Sequence, residues 1–378
     1  MTELLTMSMK ELDRLRVIQK VLAGTLTWTE AAEQLTLSAR QIGNVVARVR
    51  RDGARGVVHR LRGRPSNRRL PPGLIQRAVA LVKTTYPDFG PTFATEKLRE
   101  RHGLALSVPT LRRALIQAGL WRPRRQKAWH RAWRPRRSCV GMLIQVDGSE
   151  HDWFEGRGPR CVLLLYVDDA TSRLLYGEFV TAEDTVTLMR TTTVYLTRYG
   201  RPVAFYVDQD SIYTINREAS LEEQWRDVQP LTQFTRAMTE LGIEVITASS
   251  PQAKGRVERS FKTHQDRLVK ELRLRGIATL PAANAFLWAH YLPAHNARYA
   301  QEPANPTDAH RPLLRTHDLA RILCVRIARI LRADWTLRCR NQWFQLLPKQ
   351  PVALRPKDTL QVEIRLDGST QLRAKGHT

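Results

Sequence analysis

Met142-Leu143-Ile144-Gln145-Val146-Asp147 and Ala204-Phe205-Tyr206-Val207-Asp208 are two apolar runs that each end on a carboxylate. Short runs rich in branched and aromatic side chains read as buried strands. The flanking sequence extends the pattern. Cys161–Val167 and Arg173–Val180 read as strands, Glu183–Tyr199 as a helix and Val203–Val207 as a fourth strand. Thr232–Leu241 then reads as a helix, Ile243–Thr247 as a fifth strand and Gly255–Leu274 as a helix dense in charge. Together they span 140–278 as an α/β domain with a mixed five-stranded sheet. Residues 211–231 (SIYTINREASLEEQWRDVQPL) are too polar for its core and read as an insertion.

Three strands, a helix, a strand, a helix, a strand and a helix follow the order of a ribonuclease H-like domain. Each acid emerges where an apolar strand stops, at the edge of a buried sheet. Asp147 closes its strand, and Gly148 and Ser149 are expected to turn the chain. Glu258 opens the last helix, four residues after Lys254 in SPQAKGRVERSF. Sixty residues separate Asp147 from Asp208, and 49 separate Asp208 from Glu258. Magnesium prefers oxygen ligands and keeps several waters, so two or three carboxylates can hold a pair of ions. Two such ions, about 3.5–4 Å apart, can activate a water and relieve charge on the leaving oxygen of a phosphodiester. Other acids compete for this role. Asp168 and Asp169 also end a strand, Asp152 lies five residues past Asp147, and Asp210 lies two past Asp208. Asp208 is preferred because it directly follows the apolar run.

The 378 residues carry a net charge of +25. A cation of that size points first to nucleic acid. Hydrophobic content of 42% excludes a disordered chain. No apolar run approaches the roughly 20 residues that span a bilayer, and no signal-peptide order opens the sequence. The expectation is a cytoplasmic, nucleoid-associated protein with no membrane partner. Cys139, Cys161, Cys324 and Cys339 are not paired as C-x-x-C, which argues against a zinc finger or a disulfide framework.

Outside the core, residues 1–56 read as a helix-turn-helix. Leu12, Leu15, Ile18 and Leu22 have helical spacing. Thr27 and Ser38 stand three residues before Glu30 and Gln41, the spacing of a capping box. The second capped helix turns Ile42, Val45, Val46 and Val49 inward and presents Arg40, Gln41, Asn44, Arg48 and Arg51, residues suited to DNA. Residues 57–72 form a basic linker, and 73–120 a second helical DNA-binding domain. Residues 121–139 form a Trp/Arg linker whose Arg124, Arg125, Lys127, Trp129, Arg134 and Arg136 suit phosphates and stacked bases. A helical connector over 279–318 and a small β-barrel over 319–378 complete the chain.

Asp147-Gly148-Ser149-Glu150-His151-Asp152-Trp153-Phe154 and Ser250-Pro251-Gln252-Ala253-Lys254-Gly255-Arg256-Val257-Glu258-Arg259 give the chain a family resemblance. It resembles the DDE-type insertion-sequence transposases, the ISNCY group in particular, with its DGS-x-HDWF and SPQ-x-KGRVER stretches. The interval before the glutamate is longer than in many members of the wider superfamily, and the 211–231 insertion accounts for the excess. The zinc-binding His/Cys domain of retroviral integrases is absent, which argues against that branch. The resemblance implies two Mg²⁺ (or Mn²⁺) ions held by Asp147, Asp208 and Glu258. It implies hydrolysis at a transposon end to expose a 3′-OH, which then joins target DNA. Lys254, Arg256 and Arg259 would hold DNA phosphate, and His151 is a lesser candidate for touching DNA. Double-stranded DNA is the partner rather than a small molecule, and joining two ends requires at least a homodimer. Two other readings stand beside it: an inactive DNA-binding repressor derived from a transposase, and a structure-selective nuclease on the same fold.

Overall fold

Hydroxyl side chains start the first three helices: α1 (Met9–Leu22), α2 (Trp28–Leu35) and α3 (Ala39–Asp52). Ser8, Thr27 and Ser38 each accept the backbone N–H three residues on. The side chains of Glu11, Glu30 and Gln41 there accept the cap's own N–H in return. The computed structural model describes residues 5–59, 61–63, 70–123, 135–215, 230–248, 255–347 and 349–374. It divides the chain into two units, 1–126 and 127–378.

In the first unit, Ile18, Ala31, Ile42, Val45, Val46 and Val57 form the core that holds α1–α3 together. Gly43 has a steric reason to lack a side chain. A Cβ there would lie 2.7 Å from the Trp28 ring, so the glycine lets α2 sit directly on α3. Three further helices follow: α4 (Pro72–Thr85), α5 (Pro91–His102) and α6 (Val108–Gln117), the last capped by Ser107. They bury Val82, Tyr86, Phe93, Leu98, Leu111 and Leu115, with Phe89 stacked on Phe93 at 4.8 Å.

The second unit is built on a five-stranded sheet of order β3-β2-β1-β4-β5. Its strands are β1 (Leu143–His151), β2 (Cys161–Asp168), β3 (Leu174–Val180), β4 (Ala204–Val207) and β5 (Glu244–Thr247). β1–β3 are antiparallel neighbours, whereas β4 runs parallel to β1 and β5 parallel to β4. Long crossovers containing α7 (Thr185–Tyr199) and α8 (Gln233–Glu240) lead into β4 and β5, as parallel pairing demands. β2 and β3 are buried throughout, so they read as unbroken apolar runs. One face packs Ile144, Val146 and Phe205 against α7 and α8. The other packs Leu163, Leu165 and Val167 against α9 (Gly255–Leu274). This is the mixed sheet expected of a ribonuclease H-like domain. One local expectation fails: Gly148 and Ser149 do not turn the chain. They stay in β1 opposite Leu164 and Leu163, because β2 keeps offering backbone partners as far as Cys161.

The edge of β3 is closed by side chains rather than by another strand. Asn284 accepts the Phe179 N–H and donates to its carbonyl. Asn296 does the same for Leu174, and Trp288 donates to the Gly177 carbonyl. These residues lie on one helical run, α10 (Leu280–Phe286), a π-turn (Leu287–Tyr291) and α11 (Leu292–Tyr299). Pro293 supplies no N–H to the ladder, which accounts for the locally widened turn. Satisfying the edge this way removes a surface on which another strand could add.

The helical connector expected over 279–318 is helical chiefly as far as Tyr299. Beyond it, the proline-bearing chain is largely extended and pinned to the sheet. Val140 pairs with Asp308 and Arg201 with Arg311, and Tyr195 hydrogen-bonds His310 at 2.6 Å. A last short helix, α12 (Leu319–Ile322), leads to five strands. β6 (Val325–Ile330), β9 (Thr359–Ile364) and β10 (Thr370–Arg373) form one antiparallel sheet. β7 (Thr336–Cys339) and β8 (Gln342–Gln345) form a separate hairpin. Leu331, Leu337, Cys339, Leu346, Leu360 and Val362 share one core between them. The expected small β-barrel is therefore not closed among the described residues. Two four-residue strands pair only with each other, leaving the three-stranded sheet open. No helix among the described residues is long and apolar enough to cross a membrane.

Candidate active site

The parallel register of β1 and β4 brings the first two acids together. Leu143, Ile144 and Gln145 face Ala204, Phe205 and Tyr206. Carried two residues further, that register sets Asp147 opposite Asp208. Val207 ends β4 and is buried, whereas Asp147 and Asp208 are partly exposed. Both acids thus stand where the β1–β4 pairing stops, at the carboxyl end of β4. Ligands of open α/β sheets bind at such strand ends.

Three further residues gather here. Glu183, just ahead of α7, lies against Gly148, and a Cβ on that glycine would fall 1.8 Å from the Glu183 carboxylate. Tyr213 donates its hydroxyl to Glu183 at 3.3 Å and is only 4% exposed. Burial drives the Tyr213 phenol pKa well above its usual range. Glu183, Tyr166, Asp208 and Asp147 add to the effect in that order. Tyr213 and Ile212 pack into the core, so the front of the expected 211–231 insertion is not excluded from it. A polar surrounding sequence hid two inward residues. The rest of that stretch, 216–229, lies outside the described residues.

The competing acids have structural work. Asp168 accepts from the Gly141 N–H and from the Thr171 N–H and hydroxyl. Asp169 accepts from Gln145 Nε2 and the Arg137 N–H. Both are almost fully buried. Asp210 accepts the Ile212 N–H in the turn after Asp208, and Asp152 accepts the Gly156 N–H. His151 stands edge-on to Trp153. Trp153 and Phe154 are fully buried, and Trp153 donates to the Ser149 carbonyl.

Glu258, Arg256 and Arg259 lie in the opening turns of α9, a helix whose described side chains begin at Ser260. Gln265 of that helix donates to the Ser149 hydroxyl at 3.1 Å. Position 258 lies seven residues earlier, about two turns away on the same helical face. Lys254 lies outside the described residues, as do Arg124, Arg125, Lys127, Trp129 and Arg134. Among the described residues no group of three or more His, Cys, Asp or Glu is placed to hold a metal. Asp147 and Asp208 nevertheless fit Mg²⁺ or Mn²⁺ as a donor set. Asp147 lies in β1 and Asp208 directly follows β4, both are partly exposed, and carboxylates are hard oxygen ligands.

Arg40, Gln41, Asn44 and Arg51 are exposed and Arg48 is half-buried. Gln41, Asn44, Arg48 and Arg51 line a groove of about 630 Å³ with Arg14 of α1, which the sequence did not single out. Two of these side chains are partly engaged: Gln41 Oε1 completes the Ser38 cap, and Arg51 grips Asp52 through two nitrogens. Arg136 takes a structural place instead. Its guanidinium donates to the Asp169 and Ala170 carbonyls and to the Ser172 hydroxyl, locking the β2–β3 turn.

Known proteins resemble this chain as follows. A helix-turn-helix domain family matches residues 13–66. The chain is 40% identical over 376 residues to a Sinorhizobium fredii protein named as transposase y4bF. That match covers 99% of this chain and 81% of the relative. It is 28% identical over 351 residues to the transposase for insertion sequence IS1202 of Streptococcus pneumoniae, covering 81% of this chain and 74% of the relative. Two solved structures show slighter likeness. The simian T-cell lymphotropic virus intasome in complex with PP2A regulatory subunit B56 gamma has 15% identity and a TM-score of 0.35, covering 78% of this chain and 95% of that one. The HTLV-2 integrase catalytic core domain with magnesium, in its dimeric form, has 14% identity and a TM-score of 0.27, covering 39% and 82%.

Proposed function

We propose a mechanism from one premise: the chain belongs to the DDE-type insertion-sequence transposases. It binds the terminal inverted repeats of its element, hydrolyses a phosphodiester to expose a 3′-OH, and joins that end to target DNA. The observation that supports this reading is the β1–β4 register, which, carried two residues beyond Gln145 and Tyr206, puts Asp147 opposite Asp208.

Asp147, Asp208 and Glu258, the last on α9, would hold two divalent cations, Mg²⁺ or Mn²⁺. When bound, such ions sharpen an oxygen nucleophile and neutralise charge on the leaving oxygen. The protein's own residues do the rest. β1 carries Asp147 and the buried β4 ends directly before Asp208, which limits reorganisation as charge develops. Lys254, Arg256 and Arg259, neighbours of Glu258 in the sequence, would hold the DNA phosphates. The face of α3 reads the terminal repeat through Arg40, Gln41, Asn44, Arg48 and Arg51. The 73–120 helices and the 121–139 Trp/Arg segment extend the grip along the duplex. Joining two ends requires at least two protomers on the DNA. The protein acts in the cytoplasm.

Duplexes carrying the sequences that flank the gene, mixed with protein and Mg²⁺, test the proposal. Salt-sensitive binding and a nick at the element boundary, abolished by EDTA, are expected. Binding without any nick would leave a DNA-binding protein only.

A further inference from the structure

Gly148 poses a question that its backbone does not answer. It stays in β1, paired opposite Leu164, and is absent from the residues with a positive φ. Neither a turn nor a left-handed conformation therefore calls for glycine. Space does, because any Cβ there would meet the Glu183 carboxylate at 1.8 Å. The glycine makes room for Glu183.

Strand alternation gives the arrangement its sense. Ile144, Val146 and Gly148 share the face of β1 that packs toward α7 and α8. Asp147 and Ser149 point to the other face, where Gln265 of α9 reaches Ser149. Glu183 therefore comes up behind Asp147, through the gap that Gly148 leaves. β4 ends at Val207, so among the described residues only β2, on the other edge, pairs with β1 at this point. Tyr213 donates its hydroxyl to Glu183 and is itself fixed by packing edge-on against Phe234.

We infer that Glu183, seated against Gly148 and held by Tyr213, is a positioning residue of the divalent-metal site. It backs the strand that carries Asp147 and adds negative charge behind the two aspartates. This rests on the reading of Asp147 and Asp208 as metal carboxylates. Glu183 is not one of the ligands; it acts through the field and the fixed place of Asp147. A carboxylate near a cation site strengthens cation binding, and outer-shell groups that orient metal ligands carry about 10–100-fold in metal affinity.

The test is direct titration of the full-length protein with Mn²⁺, counting free ion by electron paramagnetic resonance. Glu183→Gln keeps the shape of the side chain and removes its charge. A purely space-filling Glu183 would tolerate that change with no effect on the ion. The expected result is a Mn²⁺ midpoint raised at least about tenfold, with unchanged binding to terminal-repeat DNA and an unchanged metal-free melting profile. A Glu183→Gln midpoint within about twofold of wild type overturns the inference, provided Asp208→Asn weakens Mn²⁺ binding. If wild type and Asp208→Asn bind Mn²⁺ equally, or neither binds it, the metal-site reading itself fails and this inference with it.

Discussion

Replacing Gly148 by alanine would put a methyl group 1.8 Å from a Glu183 carboxylate oxygen and 3.1 Å from Val162 Cγ1. Ordinary contact begins near 3.4 Å, so the carboxylate must retreat by about 1.6 Å (3.4 − 1.8). The Tyr213 hydrogen bond, already 3.3 Å long, would not survive that movement. Its loss costs about 1 kcal/mol, and overpacking a well-filled site costs about 1–3 kcal/mol. Gly148→Ala should therefore destabilise the core by about 2 kcal/mol, a fall of roughly 4–8 °C in its melting transition for a unit of this size. Removing the obstacle should remove most of the penalty. In the Glu183→Ala background the same glycine-to-alanine change should cost under about 1 kcal/mol, a coupling of about 1–2 kcal/mol between the two sites. Chemical denaturation of the four proteins measures this cycle. Additive costs, or a harmless Gly148→Ala, would refute the claim that Glu183 occupies that space.

Three other perturbations follow from the same geometry. Asn284→Ala strips the Phe179 N–H and carbonyl of their partner and should cost about 2 kcal/mol or more; unchanged denaturation midpoints would show that the β3 edge does not need it. Arg48→Ala should weaken terminal-repeat binding by about 1–3 kcal/mol if Arg48 reads a base. If Arg48 contacts phosphate instead, the salt slope should fall by about one; a gel-shift series in salt distinguishes the two, and no change in either contradicts a DNA role for α3. Burial, then Arg267 and Arg298, pull the His295 pKa down to about 4. Burial, then His295, hold its neighbour His264 well below the usual range. Both are neutral when folded, and the unfolded chain takes up their protons first. Stability should thus be intact above about pH 6.5 and fall toward pH 4, by about 3 kcal/mol from His295 alone. His295→Gln should flatten that slope in denaturation curves, and an unaltered slope would contradict it.

Much of the core was legible because strand and helix periods are local. The Gly255–Leu274 helix has the bounds that the sequence reading assigned, and β2 differs by one residue. The Thr27–Glu30 and Ser38–Gln41 capping boxes were also visible, because a cap needs only four consecutive residues. What escaped depends on partners distant in sequence. Asp147-Gly148-Ser149 has the composition of a turn, and only the length of β2 shows that it is strand. Tyr213 lies in a polar run, so nothing nearby announces that it is buried against Phe234. Glu183 looked like an ordinary helix start, and its link to the site passes through a missing side chain 35 residues earlier. Arg136 shared the composition of its basic segment, yet carbonyls of the β2–β3 turn claim it. In the C-terminal strands, alternation was visible, but closure of a barrel depends on pairings that no alternation specifies.

The central claim is that Asp147, Asp208 and Glu258 form one catalytic set. The measurement that meets it most directly is a joining assay with a pre-nicked terminal-repeat duplex, a supercoiled target and Mg²⁺. Wild type is compared with Asp147→Asn, Asp208→Asn and Glu258→Gln. All four proteins should bind the duplex alike, and only wild type should join it to the target. Joining by any of the three variants at the wild-type rate would contradict the assignment.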